Sequence, residues 1–149
     1  MAEIIELHEY RLMKQREFFI NLYRFLNNNL NYRFDDLQAK LDYDLKELFK
    51  SKSFDPIYIS YFNMPIITFI VTVFVKNSDL SCFFPKIIKI DNEENILMFK
   101  NTLIRILETF FKGFKAQENR RSFEEGLDTI INNLYKDLID MIPDEIVIV

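Results

Sequence analysis

Apolar residues recur at alternating steps of three and four along most of this 149-residue chain, and this spacing predicts amphipathic helices packed around a common core. The predicted helices cover about 3–30, 34–50, 64–76, 92–114 and 122–142. The last two carry the straightest apolar stripes and a short polar loop joins them, so they should pack as a long antiparallel pair. We therefore predict one all-α domain over residues 1–149.

Local signals set the ends of the two C-terminal helices. Asp91 and Glu94 have the spacing of a capping box, in which a side chain at the helix start accepts a bond from a backbone N–H three residues later. Ser122 and Glu125 repeat this spacing before the last helix, which Pro143 then ends.

Two positions disturb the helical pattern. The run Asn27–Asn29 lowers the helix propensity towards the end of the first helix. Gly126 lies inside the last predicted helix, where glycine costs about 1 kcal/mol relative to alanine. Close contact with a neighbouring helix would explain a glycine at this position.

The segment 66–75 has two interpretations, because it is both apolar and rich in β-branched residues. As a strand it belongs to an α+β fold, with a small antiparallel sheet at 57–90 flanked by helices. As a helix it carries one narrow polar stripe, Thr68, Thr72 and Lys76, beside a broad apolar face. We favour the helix. Since a bilayer needs about 20 apolar residues, we expect no membrane span.

The residue types that enzymes use are scarce. The chain has sixteen Phe and seven Tyr but one His, one Cys, two Gly and no Trp. We expect no catalysis, since an active site would have to be assembled from Asp, Lys and Tyr, and no such set is visible. His8 alone cannot supply a di-iron site or a marked haem site, so neither haem nor a metal is expected. Cys82 has no histidine near it in sequence, and we expect it to be partly buried and unreactive.

The charge of the chain argues against a nucleic-acid partner. Its formal net charge is −4, from 19 basic and 23 acidic residues, whereas nucleic-acid binders need a cationic face. The N-terminus lacks a basic region followed by an apolar run, so no secretory signal is expected. A single cysteine allows no intramolecular disulfide, which fits a cytoplasmic protein.

The surplus of aromatic residues is either plain core or the wall of a cavity. Bulky rings with few small residues between them pack imperfectly, and an apolar void can accept an apolar ligand. The predicted ligand-binding residues on the middle helix and on 96–110 are Phe62, Phe69, Thr72, Val73, Phe99, Leu103, Ile106 and Phe110. The predicted partner of a ligand carboxylate is one of Arg11, Lys14, Lys76 and Arg105, and the sequence does not choose among them.

The order of the helices, the long C-terminal pair and the missing haem ligand resemble the haem-less globin-fold sensor domains of bacilli, over about 3–142. Those domains inhibit sporulation by mimicking the sensor of a histidine kinase, and they are distantly similar to the globin-like modules of stressosomes. The resemblance implies a globin-like bundle, a fatty acid in an apolar tunnel and a homodimer. It implies a non-catalytic sensor that titrates a signal away from a kinase.

The same resemblance implies where two subunits would meet. The dimer-interface residues that it implies are Leu127, Ile131, Leu134, Leu138 and Phe111. The alternative function is a protein-interaction module such as a secretion-type chaperone. In that case 57–62, 66–75 and 86–90 would form the sheet, and partner peptides would add along apolar grooves.

Overall fold

The computed structural model describes the backbone of 2–82, 91–110 and 117–142, and the side chains of 14, 16–28, 34–82, 91–110 and 120–142. The helices are α1 (Ala2–Ser51), α2 (Asn63–Lys76), α3 (Asn92–Phe110) and α4 (Gln117–Met141). Two 3₁₀ helices, Pro56–Phe62 and Asp79–Cys82, flank α2. No strand occurs within the described ranges, so the all-α prediction is confirmed.

Helix α1 continues through the predicted gap between 30 and 34, which corrects the two helices predicted at 3–30 and 34–50. The ring centroids of Tyr23 and Phe34 are nevertheless 5.9 Å apart. A straight helix advances about 16 Å over that many residues, which is too far for the two rings to meet. The axis of α1 therefore bends between Tyr23 and Phe34, beside the weak run Asn27–Asn29. The low propensity of this run therefore does not end the helix.

The ambiguous middle segment is helical. Pro56 starts the 3₁₀ helix behind Asp55, whose carboxylate accepts a bond from the Ile57 N–H at 3.0 Å, and α2 follows directly. The sheet alternative is therefore wrong for 57–62 and 66–75, while 86–90 lies outside the described residues. Burial on nearly every side of α2 outweighs the β propensity of its branched residues, because helix and strand propensities are weak beside tertiary packing.

Helices α3 and α4 form the predicted antiparallel pair, and two ion pairs define its register. Lys100 Nζ lies 3.0 Å from the carboxylate of Asp128, and the Arg120 guanidinium lies 2.6 Å from the carboxylate of Glu108. A step of eight residues forward on α3 therefore matches a step of eight residues backward on α4. The predicted cap of α3 is also confirmed, since the Asp91 carboxylate accepts a bond from the Glu94 N–H at 2.8 Å.

The predicted start of α4 at residue 122 is wrong, because α4 is already helical from Gln117. Arg120 stabilises the helical turn that precedes residue 122. Its guanidinium pairs with Glu124 in the next turn of α4 at 3.1 Å and also with Glu108 on α3. Ser122 consequently lies inside the helix, and its hydroxyl accepts a hydrogen bond from Lys52 Nζ instead of capping.

Helices α1, α2, α3 and α4 contribute to one continuous apolar core. Phe49 is its centre, with ring centroids 5.8 Å from Phe62 and 5.9 Å from both Phe54 and Phe123. Earlier in α1, the Phe34 ring meets the ring of Phe74, near the end of α2, at 5.0 Å. The second half of α1 therefore runs antiparallel to α2.

By length and composition, Pro56–Lys76 is the segment of the described chain that would suffice to cross a bilayer. A buried core helix of a soluble protein meets the same criteria. Here α2 packs against α1, α3 and α4, with Ile70, Val71 and Val73–Val75 fully enclosed. The apolarity of this segment is therefore only weak support for a membrane span.

Candidate ligand-binding groove

A groove of about 480 Å³ lies between α2 and α3 and is bordered by α1. Its volume falls in the usual range of small-molecule sites, about 300–1,000 Å³. The groove is open to solvent along part of its length. The residues that line it are Arg16, Phe19, Tyr61, Met64, Pro65, Thr68, Phe69, Thr72, Asn95, Met98, Phe99, Thr102 and Ile106.

The antiparallel register of α2 and α3 fixes the ends of the groove. At one end the side-chain amides of Asn77 and Asn92 bond each other, with Asn92 Nδ2 donating to Asn77 Oδ1 at 3.2 Å. In the middle the rings of Phe69 and Phe99 stack with centroids 4.5 Å apart and planes 15° apart. This stack forms the apolar wall of the groove.

The opposite end is aromatic and exposed. Tyr61, which precedes α2, stacks on Phe110 at the end of α3, with ring centroids 4.5 Å apart. The two side chains are 49% and 47% exposed, respectively, so this stack meets solvent. Between Asn95 and Ile106, α3 advances about 16 Å, which gives the groove the elongated shape that suits a chain-like molecule.

The polar groups of the groove are few and differ in burial. Thr72 and Asn95 are each 8% exposed, and they are the buried polar residues of the described core. The Thr72 hydroxyl donates to the backbone carbonyl of Thr68 at 2.7 Å. Asn95 Nδ2 has no hydrogen-bond partner among the described residues. Arg16 is exposed and is the charged residue among the described lining residues, none of which is a carboxylate.

The structure brings half of the predicted ligand-binding residues together in this groove. Phe69, Thr72, Phe99 and Ile106 line it. Phe62, Val73 and Leu103 are instead buried in the core, and Phe110 stacks on Tyr61 at the exposed end.

The predicted partners of a ligand carboxylate are elsewhere. Lys14, Lys76 and Arg105 are not part of the groove lining, and the Arg11 side chain lies outside the described ones. Sequence reasoning missed Arg16, which borders the groove only because α1 bends. It also missed Asn95, although a signal existed. Asn95 precedes Phe99 by four residues and so lies on the apolar stripe of α3, where a polar side chain is unusual.

The residues implied as a dimer interface have a core role within one chain. Leu127, Ile131, Leu134 and Leu138 are at most 3% exposed. Phe111 lies outside the described residues. Homodimerisation stays a prediction, and these four side chains have little surface left for a second subunit.

The titratable side chains of the described ranges include no group of three or more His, Cys, Asp or Glu that could hold a metal ion. Cys82 is exposed, which corrects the prediction that it is partly buried, and its thiol donates to the carbonyl of Asp79 at 3.2 Å. Burial, with a smaller contribution from Asp35, raises the pKa of Tyr23 to about 12, but Tyr23 lies outside the groove lining.

The groove can therefore enclose an elongated apolar molecule and attract a negative charge, and its wall contains a buried amide whose nitrogen has no partner among the described residues. The chain matches no family model, no curated protein and no solved structure, so its function has to be inferred from this groove.

Proposed function

We propose that this protein is a non-catalytic sensor that binds a fatty-acid-like amphiphile in the groove between α2 and α3. The proposal rests on the residues that line the groove. Aromatic rings, including the Phe69–Phe99 stack, enclose a volume of about 480 Å³, and Arg16 is the charged residue beside them. Burial of apolar surface contributes about 25 cal/mol per Å², so an alkyl chain along Phe69 and Phe99 gains affinity from its whole length.

The charge of the lining selects the kind of amphiphile. Arg16 attracts a carboxylate, and no acidic side chain opposes it among the described lining residues. Among those residues, the charge that a cationic amphiphile would meet is that of Arg16, which repels it. The groove thus favours an anionic head group with an apolar tail.

The signalling part of the proposal rests on the resemblance to haem-less globin-fold sensor domains. We propose that a cytoplasmic homodimer takes up the ligand and so lowers the amount that reaches a sensor kinase, with inhibition of sporulation as the outcome. The groove supports the ligand-binding step, since it is bordered by three helices whose packing a bound molecule would change.

The absence of tryptophan gives a direct binding test. Met98 lines the groove and is 58% exposed, whereas its neighbour Leu97 is 54% exposed and lies outside the lining. Met98→Trp therefore places a single fluorophore at the groove, and Leu97→Trp is the matched control. We expect dodecanoate to change the emission of Met98→Trp saturably and to leave Leu97→Trp unchanged.

A second measurement tests for a natural ligand. Native mass spectrometry of the purified wild-type chain, followed by lipid extraction, should reveal a co-purified amphiphile. A protein that carries no lipid and shows no saturable response to dodecanoate at Met98→Trp would contradict the proposed function.

A further inference from the structure

The two buried polar residues of the described core, Thr72 and Asn95, both line the groove. A buried amide hydrogen without a partner costs free energy, so native proteins nearly always pair such groups. Asn95 Nδ2 has no partner among the described residues. Asn95 is part of the groove wall, so the groove is the space from which a ligand atom can supply the missing partner once the side chain turns its amide towards it.

Thr72 and Asn95 also lie at the same end of the groove. The register places both between the Phe69–Phe99 stack and the Asn77–Asn92 amide pair. The Thr72 hydroxyl already uses its hydrogen to bond the Thr68 carbonyl, so its oxygen remains an acceptor. One donor and one acceptor at one level of an apolar groove match the two hydrogen-bonding functions of a hydroxyl group.

The charge state of the ligand group at this end follows from burial. An ionised carboxylate taken out of water needs an opposite charge beside it, and Thr72 and Asn95 are neutral. The positive charge of the lining, Arg16, belongs to an exposed residue. The carboxylate of an amphiphile is therefore best placed near Arg16 in contact with water, and an uncharged oxygen is best placed at Asn95.

We propose that Asn95 and Thr72 form a polar subsite for an uncharged oxygen on the alkyl chain of the ligand, so that the groove prefers a hydroxy fatty acid to a plain one. This inference rests on the proposed function and makes its ligand more specific. Asn95 Nδ2 donates to the ligand hydroxyl, and that hydroxyl donates to the Thr72 oxygen.

The test compares two series of ligands on the Met98→Trp reporter: plain fatty acids, and ω-hydroxy fatty acids of the same chain lengths. A hydroxyl buried in an apolar groove without a partner weakens binding, so hydroxy acids should bind more weakly at most lengths. At the length that brings the oxygen to Asn95, we expect the hydroxy acid to bind more tightly than the plain acid of the same length.

Two variants locate the effect. In Asn95→Leu the advantage at that length should disappear, with the hydroxy acid weakened about tenfold and the plain acid unchanged or tighter. Thr72→Val keeps the shape of the side chain but removes the acceptor, and it should weaken only the hydroxy acid, by several-fold. Thermal unfolding monitored by circular dichroism verifies that both variants fold.

The outcomes separate this inference from the proposed function. If plain acids bind and hydroxy acids are weaker at every length, by the same ratio in wild type and Asn95→Leu, the polar subsite is wrong while the groove function stands. If neither series binds, the proposed function itself fails. If Asn95→Leu and Thr72→Val do not fold, comparison of the two series on the reporter alone still decides the preference.

Discussion

Gly126 on α4 packs directly against Leu48 on α1: a Cβ built on Gly126 would lie 2.6 Å from Leu48 Cδ1. Carbon atoms do not approach so closely, so the Leu48 side chain in its present position requires glycine at 126, and any larger residue there would force Leu48 to turn away. The pair thus accounts for a glycine in the middle of a helix, as the sequence predicted.

We expect Gly126→Ala to change the free energy of unfolding by less than about 1 kcal/mol, because the rotation that it forces on the Leu48 side chain offsets the gain of about 1 kcal/mol in helix propensity. In a Leu48→Ala background the same substitution should stabilise the protein by about 1 kcal/mol, since the obstructing side chain is gone. Urea unfolding of the four proteins in this double-mutant cycle measures both values. Equal effects of Gly126→Ala in the two backgrounds would contradict the contact.

Ligand binding should respond to bulk at Thr102 and not at Thr109. Both are exposed threonines of α3 whose hydroxyls bond the carbonyl four residues earlier, at 2.7 Å and 2.8 Å, but only Thr102 lines the groove. Thr102→Phe should fill part of the groove and weaken dodecanoate binding at least about tenfold, or about 1.4 kcal/mol.

Thr109→Phe is the control for that experiment, because it adds the same ring to the same helix outside the groove. Isothermal titration calorimetry of both variants gives the comparison. The groove would be the wrong binding site if the two substitutions weakened dodecanoate equally.

Arg16 should discriminate between charged and neutral ligands. Arg16→Gln removes the positive charge of the lining, so the affinity for dodecanoate should fall about two- to fivefold, while that for dodecanol stays unchanged. Added salt should weaken dodecanoate binding to the wild type and have little effect on Arg16→Gln. A parallel loss for both ligands would mean that Arg16 acts through packing and not through its charge.

Tyr23 should make the fold sensitive to alkali. Its pKa rises from 10.0 to about 12 on folding, because burial disfavours the phenolate and Asp35 adds to the effect. The unfolded chain therefore loses this proton at lower pH than the folded chain. The stability that Tyr23 contributes is fully present below pH 10 and is lost as the pH rises towards about 12.

Tyr23→Phe removes this ionisation, so its stability should decline less than that of the wild type over that interval. At neutral pH the variant should be at least as stable, since it also lacks a buried hydroxyl that has no partner among the described residues. Urea unfolding across the pH range measures the difference. Identical alkaline profiles of the two proteins would show that Tyr23 ionises as freely as in the unfolded chain.

Truncation of Leu134 distinguishes a role in the core of one chain from a role in a dimer interface. At 3% exposure, its truncation to alanine should lower the free energy of unfolding by about 2–5 kcal/mol. Leu97→Ala, at an exposed position of α3, should cost much less. If Leu134 pairs mainly with a second subunit, Leu134→Ala will instead dissociate a dimer in sedimentation velocity while the monomer keeps its stability.

The sequence predicted a helix correctly where the spacing of its polar and apolar residues matches the faces that are exposed and buried in the fold. On α2, the four-residue steps of Thr68, Thr72 and Lys76 indicated a helix against the β propensity of its neighbours, and the structure confirms it. The start of α4 was not predictable from local signals. The spacing of Ser122 and Glu125 satisfies a capping box, but pairing of Arg120 with Glu108 on another helix favours continuation.

The groove was predictable in part for a similar reason. Phe69 and Phe99 follow from the apolar stripes of α2 and α3, and they do line it. Arg16 did not follow, because its place depends on the bend of α1. Asn95 was missed because a polar residue near a helix start usually faces solvent. Its position four residues before Phe99, on the apolar stripe of α3, was the signal that it is part of the wall.

The bend divides α1 into two segments. The first segment carries Arg16 and Phe19 at the rim of the groove, and the second pairs with α4 through the ion pair of Lys40 and Asp137 at 2.8 Å. Among the described residues, a molecule in the groove therefore contacts α1 only before the bend, so this one helix takes part both in the rim of the groove and in the packing against α4.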